Sequence, residues 1–143
     1  FEKLAENIYT DYAHHPAEIK ATLQMATELN SNVVAIYQPH QNIRQRELLE
    51  NDGYSDCFSD AKKVYWLPTY LSRENGAKVI SPQELSATAK NTLIELADTN
   101  EQLRQKIKKH QEDGDLIVAM SAGDLDAWVR EQLYNNWLGG LRR

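Results

Sequence analysis

The 143-residue sequence contains a single cysteine, Cys57, so no disulfide can form within the chain and no cysteine-based zinc site can be built. That usage fits a reducing compartment. Long apolar runs are also missing: the longest, Val33–Tyr37 and Leu116–Met120, have five residues each, against the about 20 that a bilayer-spanning helix needs. No basic excess exists either. Sixteen Lys and Arg against 21 Asp and Glu leave a net charge of −5, which argues against a nucleic-acid-binding face. The start shows no basic segment followed by an apolar stretch, hence no visible signal peptide, and the expected location is the cytoplasm. The first residue is Phe1 rather than Met, and the chain reads as one piece of a longer protein. Finally, there is no repeat, no low-complexity tract, no Ser/His/Asp or Cys/His nucleophile set and no G-x-x-x-x-G-K-[ST] phosphate loop. Without that loop the chain alone is not expected to hydrolyse ATP by P-loop chemistry.

What is present suits one domain over residues 1–143. Hydrophobic residues make up 41% of the chain, and a domain of this length buries roughly 68–70% of its unfolded surface. Short β-branched runs alternate with stretches of helical period. Strands are expected at residues 7–11, 33–37, 63–67, 77–80, 91–97 and 116–120. Helices are expected at Pro16–Leu29, from Asn42, at 82–89, at 99–111 and after Asp124, the last with an apolar stripe of Leu125, Trp128, Val129, Leu133 and Trp137 closed by Gly139-Gly140. Residues 91–97 could also continue a helix; a strand is preferred because Asp98-Thr99-Asn100 reads as a helix start. This alternation predicts a three-layer, Rossmann-like α/β domain: a mostly parallel sheet of about six strands with helices on both faces.

Ligands in open α/β sheets sit beyond the carboxyl ends of the strands. That rule selects three loops: residues 11–16, 38–46 and 121–124. They carry Asp11, Tyr12, His14 and His15, then His40, Arg44 and Arg46, then Ser121-Ala122-Gly123-Asp124. Each has a plain structural alternative. His15 could simply cap the helix that Pro16 begins, His14 could be a surface histidine, and Asp124 could be the N-cap of the last helix. Arg44 and Arg46 could lie on a solvated helix surface or offer a guanidinium fork to a carboxylate. The 121–124 turn could present backbone amides to an anion. A metal site of His14, His15 and His40 is not expected, since adjacent histidines on one turn rarely converge on one ion. Lys108-Lys109-His110 reads as a solvated helix face.

Several of these residues stand in a familiar order. Asp11-Tyr12-Ala13-His14-His15-Pro16-Ala17-Glu18-Ile19 with Ala21-Thr22-Leu23 resembles the start of the C-terminal domain of the Mur ligases, the ATP-dependent amide-bond ligases that build the peptidoglycan stem peptide. Tyr37-Gln38-Pro39-His40 with Arg44-Gln45-Arg46-Glu47-Leu48 resembles the F-Q-P-H-R-Y-[ST]-R-T-R-D-L segment of the L-alanine-adding branch. Tyr70 and Glu74 fit its Y-x-x-x-E, and Gly114-Asp115 with Met120-Ser121-Ala122-Gly123-Asp124 fits its G-D…M-G-A-G-D ending.

The resemblance implies an enzyme in three parts, with a UDP-sugar domain and a central domain holding ATP and Mg2+ both absent from this chain. The C-terminal domain brings the incoming amino acid, L-alanine, to an acyl phosphate of UDP-N-acetylmuramate; alone it is expected to be inactive. No nucleic acid or membrane partner is implied. By the same resemblance Asp11 would hydrogen-bond the ATP ribose. Tyr12, His14 and Arg44 would line the amino-acid pocket, with Arg44 on the carboxylate and His14 orienting the substrate as the candidate catalytic residue. Ser121 and Ala122 would form a further wall. Three departures stand out: Gln41 replaces the first arginine of Q-P-H-R, Thr10 replaces an aspartate and Ser121 a glycine. Arg46 is the nearest substitute for the missing guanidinium. Two alternatives follow, a related ligase adding another amino acid or a recycled peptide, and a non-catalytic α/β binding module.

Overall fold

The computed structural model describes residues 1–74 and 78–135. In chain order the elements are β1 (Glu2–Ala5), β2 (Ile8–Asp11), α1 (Pro16–Leu29), β3 (Val33–Tyr37), α2 (Asn42–Glu50) and β4 (Lys63–Trp66), followed by α3 (Pro82–Ser86), β5 (Ile94–Leu96), α4 (Glu101–Glu112), β6 (Leu116–Met120) and α5 (Leu125–Tyr134). The strands form one six-stranded sheet in the order β1-β2-β6-β3-β4-β5, parallel except for the β1–β2 hairpin.

All five residues of β3 and of β6 are buried, as strands covered on both faces require. Val33, Ala35, Tyr37, Leu116, Val118 and Met120 pack with Ile19, Leu23 and Ala26 of α1 and with Tyr54, Phe58 and Leu85. The alternate residues Val34, Ile36, Ile117 and Ala119 pack with Leu103 and Ile107 of α4 and Leu125, Val129 and Leu133 of α5. These two cores are the three-layer α/β arrangement that the sequence predicts. Trp128 joins the second core only partly buried; Trp137, Gly139 and Gly140 lie outside the described residues.

The strand set differs from expectation at two places. β1 adds an antiparallel edge, and Asn7, expected to open a strand, is instead the hairpin turn at φ 61°. The strand expected over residues 77–80 is not formed at 78–80, and Ala77 lies outside the described residues. There the backbone pairs with side chains of α2: the Lys78 carbonyl accepts from Asn42 Nδ2 and Arg46 Nη2, and Ile80 N donates to Asn42 Oδ1. Residues 94–96 do form the preferred strand, in register with β4.

Helix starts fall into two kinds. α1, α3 and α4 are capped from their own sequence. His15 accepts from Ala17 N while Glu18 reaches back to its backbone, Ser81 accepts from Glu84 N, and Asn100 accepts from Leu103 N. α2 and α5 are capped from elsewhere. Glu74 accepts from Asn42 N (2.5 Å) and Ile43 N (3.0 Å), and Gln38 Oε1 accepts from Leu125 N (3.2 Å). Asp124 precedes α5 without capping it; its carboxylate accepts from Gln38 Nε2 at 2.7 Å. These two borrowed caps open on the same end of the sheet.

At the opposite end, buried Asp115 accepts from Lys62 Nζ (2.6 Å) and pairs with His110 Nδ1 (2.8 Å), whose Nε2 meets the Tyr65 hydroxyl (2.7 Å). His110 is thus turned inward, unlike the solvated histidine expected. Burial pushes the Asp115 carboxyl up, but the bonds from Lys62 and His110 outweigh it and leave its pKa below the ordinary value of 3.8. A carboxylate held below its unfolded pKa stabilises the fold above that pKa and loses the effect as pH falls through the folded value. Urea midpoints are therefore expected to drop as pH falls below about 4, with a shallower drop for Asp115→Asn, which starts lower at pH 7. Parallel pH profiles for the two proteins would contradict this assignment.

Candidate functional site

The carboxyl ends of β2, β3 and β6 bring the three selected loops together. Ser121 N donates to the Asp11 carbonyl at 3.1 Å, joining the first loop to the third. Buried Gln38 joins the second to the third: its Oε1 accepts from Ser121 Oγ (2.6 Å) and Leu125 N, and its Nε2 reaches Asp124. Gly123 lies under this knot, where a Cβ would come within 2.5 Å of Tyr70 Cγ and 2.7 Å of Gln38 Oε1.

His14 and Arg44 line one cleft of about 750 Å³, with His15, Lys20, Glu47, Tyr54 and Cys57 among its walls. His14 Nδ1 lies 3.0 Å from the Tyr12 carbonyl. A carbonyl can only accept, so Nδ1 carries the hydrogen in that contact, with the Glu18 carboxylate 3.7 Å from the same nitrogen. The His14 ring meets the Tyr12 ring edge-on at 5.7 Å and the His40 ring at 5.7 Å, and His40 stacks on Tyr70 at 5.9 Å. Burial, followed by the nearby His14 and Arg44, lowers the His40 pKa, so this imidazole is neutral at pH 7; its Nδ1 is buried without a hydrogen-bond partner. Arg44 is 63% exposed and held only loosely, 4.0 Å from Glu47. Burial pushes the Cys57 thiol up to about 12, so it stays protonated and unreactive.

Asp11, Tyr12 and Ser121 line a second hollow of about 340 Å³, with Thr10, Asp126 and Arg130. Asp11 Oδ1 accepts from Ala13 N (2.8 Å) and Thr22 Oγ1 (3.2 Å), bracing the loop, while Oδ2 lies 3.1 Å from the Phe1 nitrogen. The Ser121 hydroxyl is spent inside the fold, donating to Gln38 and accepting from Gly123 N at 2.8 Å. Ala122 is half-buried in the same turn. Arg46 bonds the Lys78 carbonyl and is not among the residues lining the cleft. Gln41 itself holds φ 62°, with its amide on the Tyr70 carbonyl at 2.7 Å. Among the described residues no group of three or more His, Cys, Asp or Glu is placed to hold a metal ion, and no helix is long and apolar enough to cross a membrane.

Sequence reasoning missed Lys20 and Tyr54, and it noted Gln45, Tyr70 and Glu74 only as motif positions. No local pattern marks the first two, and Tyr54 lies in an irregular turn; Gln45 reads as an ordinary helix residue.

A mostly parallel six-stranded sheet with helices on both faces defines a Rossmann-like α/β domain. Comparison carries this further: the chain belongs to the Mur ligase family, residues 1–123 matching the model described as "Mur ligase, glutamate ligase domain". It is 33% identical over 121 residues to a UDP-N-acetylmuramate–L-alanine ligase of Clostridium beijerinckii, covering 82% of this chain and 26% of the relative. It is 36% identical over 143 residues to the protein of that name from Rickettsia canadensis, covering 92% and 30%. The chain thus spans less than a third of the length of these relatives. A solved domain assigned to a UDP-N-acetylmuramate:L-alanyl-γ-D-glutamyl-meso-diaminopimelate ligase of Haemophilus ducreyi shares the fold, with a TM-score of 0.59, 22% identity, and coverage of 94% of this chain and 97% of the domain.

Proposed function

We propose that this chain is the amino-acid-binding domain of a cytoplasmic, ATP-dependent ligase that joins L-alanine to UDP-N-acetylmuramate in peptidoglycan precursor synthesis. The observation that carries this reading is the convergence of His14 and Arg44 on one cleft, beside the exposed Tyr12 ring. The Arg44 guanidinium pairs the amino-acid carboxylate, and the lone pair of His14 Nε2 accepts a hydrogen bond from the amine and turns it toward the acyl carbon. Asp11 faces the neighbouring hollow, where its Oδ2, 3.1 Å from the Phe1 nitrogen in this structure, exchanges that contact for the hydroxyl of the ATP ribose.

The described residues offer no cluster of three or more His, Cys, Asp or Glu for a metal ion, and the sequence has no G-x-x-x-x-G-K-[ST] phosphate loop. Activation of the carboxylate to an acyl phosphate therefore falls to the rest of a longer protein. The role of this domain is positioning and exclusion of water, which would otherwise hydrolyse the activated acid.

The runner-up is a ligase of the same family that adds a different amino acid or a recycled peptide. Gln41, uncharged where the L-alanine-adding branch carries arginine, favours it. The full-length parent protein, given ATP, Mg2+, UDP-N-acetylmuramate and single amino acids, decides. Phosphate release that depends on L-alanine is expected; release driven by another amino acid selects the runner-up, and none with any amino acid rejects every amino-acid-adding reading and leaves the peptide-adding one.

A further inference from the structure

Three buried polar side chains stand between the two loops that carry His14 and His40. Tyr37 and Tyr54 are fully buried and Gln45 is 1% exposed, among Phe58 and Trp66. The Tyr37 hydroxyl lies 3.3 Å from the His14 carbonyl and 2.7 Å from the Tyr54 hydroxyl. The Tyr54 hydroxyl lies 2.5 Å from Gln45 Oε1, and Gln45 Nε2 donates to the His40 carbonyl at 3.1 Å. A continuous polar path thus runs through the core from the backbone of one histidine to the backbone of the other.

The hydrogens in this path can be counted. Burial pushes both tyrosine hydroxyls well above their ordinary range, so each keeps one hydrogen. Two hydroxyl hydrogens cannot fill three contacts. If both point toward Gln45, the His14 carbonyl goes without; if both point toward His14, Gln45 Oε1 goes without. Pointing them apart would set two lone pairs against each other at 2.7 Å. The contact to His14 is the longest of the three and hence the weakest link of the path. Buried hydrogen-bonded chains of this kind hold their members cooperatively.

We propose that Tyr37, Tyr54 and Gln45 form a positioning relay that fixes the His14 loop against the His40 loop, with the His14 carbonyl as its releasable end. The relay touches no substrate. It acts through the two imidazoles, and its bearing on amino-acid affinity rests on the function proposed above. Pointing both hydroxyls toward His14 would tighten that end at the expense of Gln45, giving the loop two discrete settings rather than a continuous range.

The test removes the middle link and reads both ends. In this chain, Tyr54→Phe is expected to displace the ring nitrogen resonances of both His14 and His40. Those of His110, bonded to Asp115 and Tyr65 on the other face of the sheet, should stay in place. In the full-length parent the same change is expected to raise the KM for the amino acid roughly five- to tenfold, with the KM for ATP within about twofold. Tyr37→Phe, which leaves the Tyr54–Gln45 bond intact, serves as the second variant should the first fail to fold, and should move His14 more than His40. Displacement of His40 alone by Tyr54→Phe, or an equal rise in both KM values, would overturn the relay. A parent that releases no phosphate with any amino acid would sink the proposed function instead, and the imidazole resonances would then decide the relay by themselves.

Discussion

Replacing Arg44 by alanine raises the KM for the incoming amino acid by roughly 10- to 150-fold, the span set by about 1.5–3 kcal/mol for a charge-assisted hydrogen bond, and leaves the KM for ATP unchanged. The reasoning is geometric. Arg44 lines the large cleft beside His14, its side chain is 63% exposed, and its partner Glu47 stands at 4.0 Å, so little is given up when a carboxylate takes the guanidinium. The neighbouring position that would share this work holds Gln41, and Arg46 is tied to the Lys78 carbonyl. Among the described residues lining the cleft Arg44 supplies the one guanidinium, and Lys20 is the other cation. Arg44→Lys recovers only part of the loss, since an ammonium cannot pair a carboxylate bidentately. The fold itself should be unaffected, because alanine is the better helix former at an exposed site in α2. An amino-acid KM that does not move in Arg44→Ala would remove Arg44 from the site.

The second large effect is structural and begins at Gly123. A Cβ there would lie 2.5 Å from Tyr70 Cγ, 2.8 Å from Tyr70 Cβ and 2.7 Å from Gln38 Oε1. Tyr70 is met near the root of its side chain, so rotating the ring does not relieve the clash; the chain at Tyr70 must shift. That segment is clamped by Tyr70 N to the Pro39 carbonyl (2.8 Å) and by Gln41 N to the Tyr70 carbonyl (2.7 Å). Gly123→Ala is expected to cost about 1–3 kcal/mol, the usual range for overpacking, read as a lower denaturant midpoint with unchanged slope. Because Tyr70 stacks on His40, the amino-acid KM should rise as well. A variant with the wild-type midpoint would show that the 121–124 turn yields more easily than these contacts allow.

How much of this was legible in the sequence depends on where each constraint comes from. The central strands announced themselves because both faces of β3 and β6 are buried, which demands unbroken apolar runs. α1 was legible because His15, Pro16 and Glu18 carry its whole start within four residues. α2 and α5 form where they were expected, from Asn42 and after Asp124, but their caps were not legible, because their amides are capped by Glu74 and Gln38 from distant loops; the same distance made Asp124 look like a cap it is not. β1 was missed because an exposed edge strand carries no apolar alternation of its own, and residues 78–80 misled because a β-branched, apolar pair is used there to meet Asn42 rather than a strand. The site residues His14, Arg44, Asp11 and Tyr12 stand out in sequence as polar groups on predicted strand ends. Their sorting into two hollows does not, since it depends on how Tyr12 turns between them.

The central claim is that this domain selects L-alanine for a ligase. It is tested most directly by giving the full-length parent ATP, Mg2+, UDP-N-acetylmuramate and an equimolar mixture of amino acids, and weighing the product by mass spectrometry. A UDP-sugar heavier by one alanine residue is the expected result. A product carrying any other amino acid would contradict the assignment and make Gln41→Arg the first change to examine, and an unmodified sugar would contradict every amino-acid-adding reading.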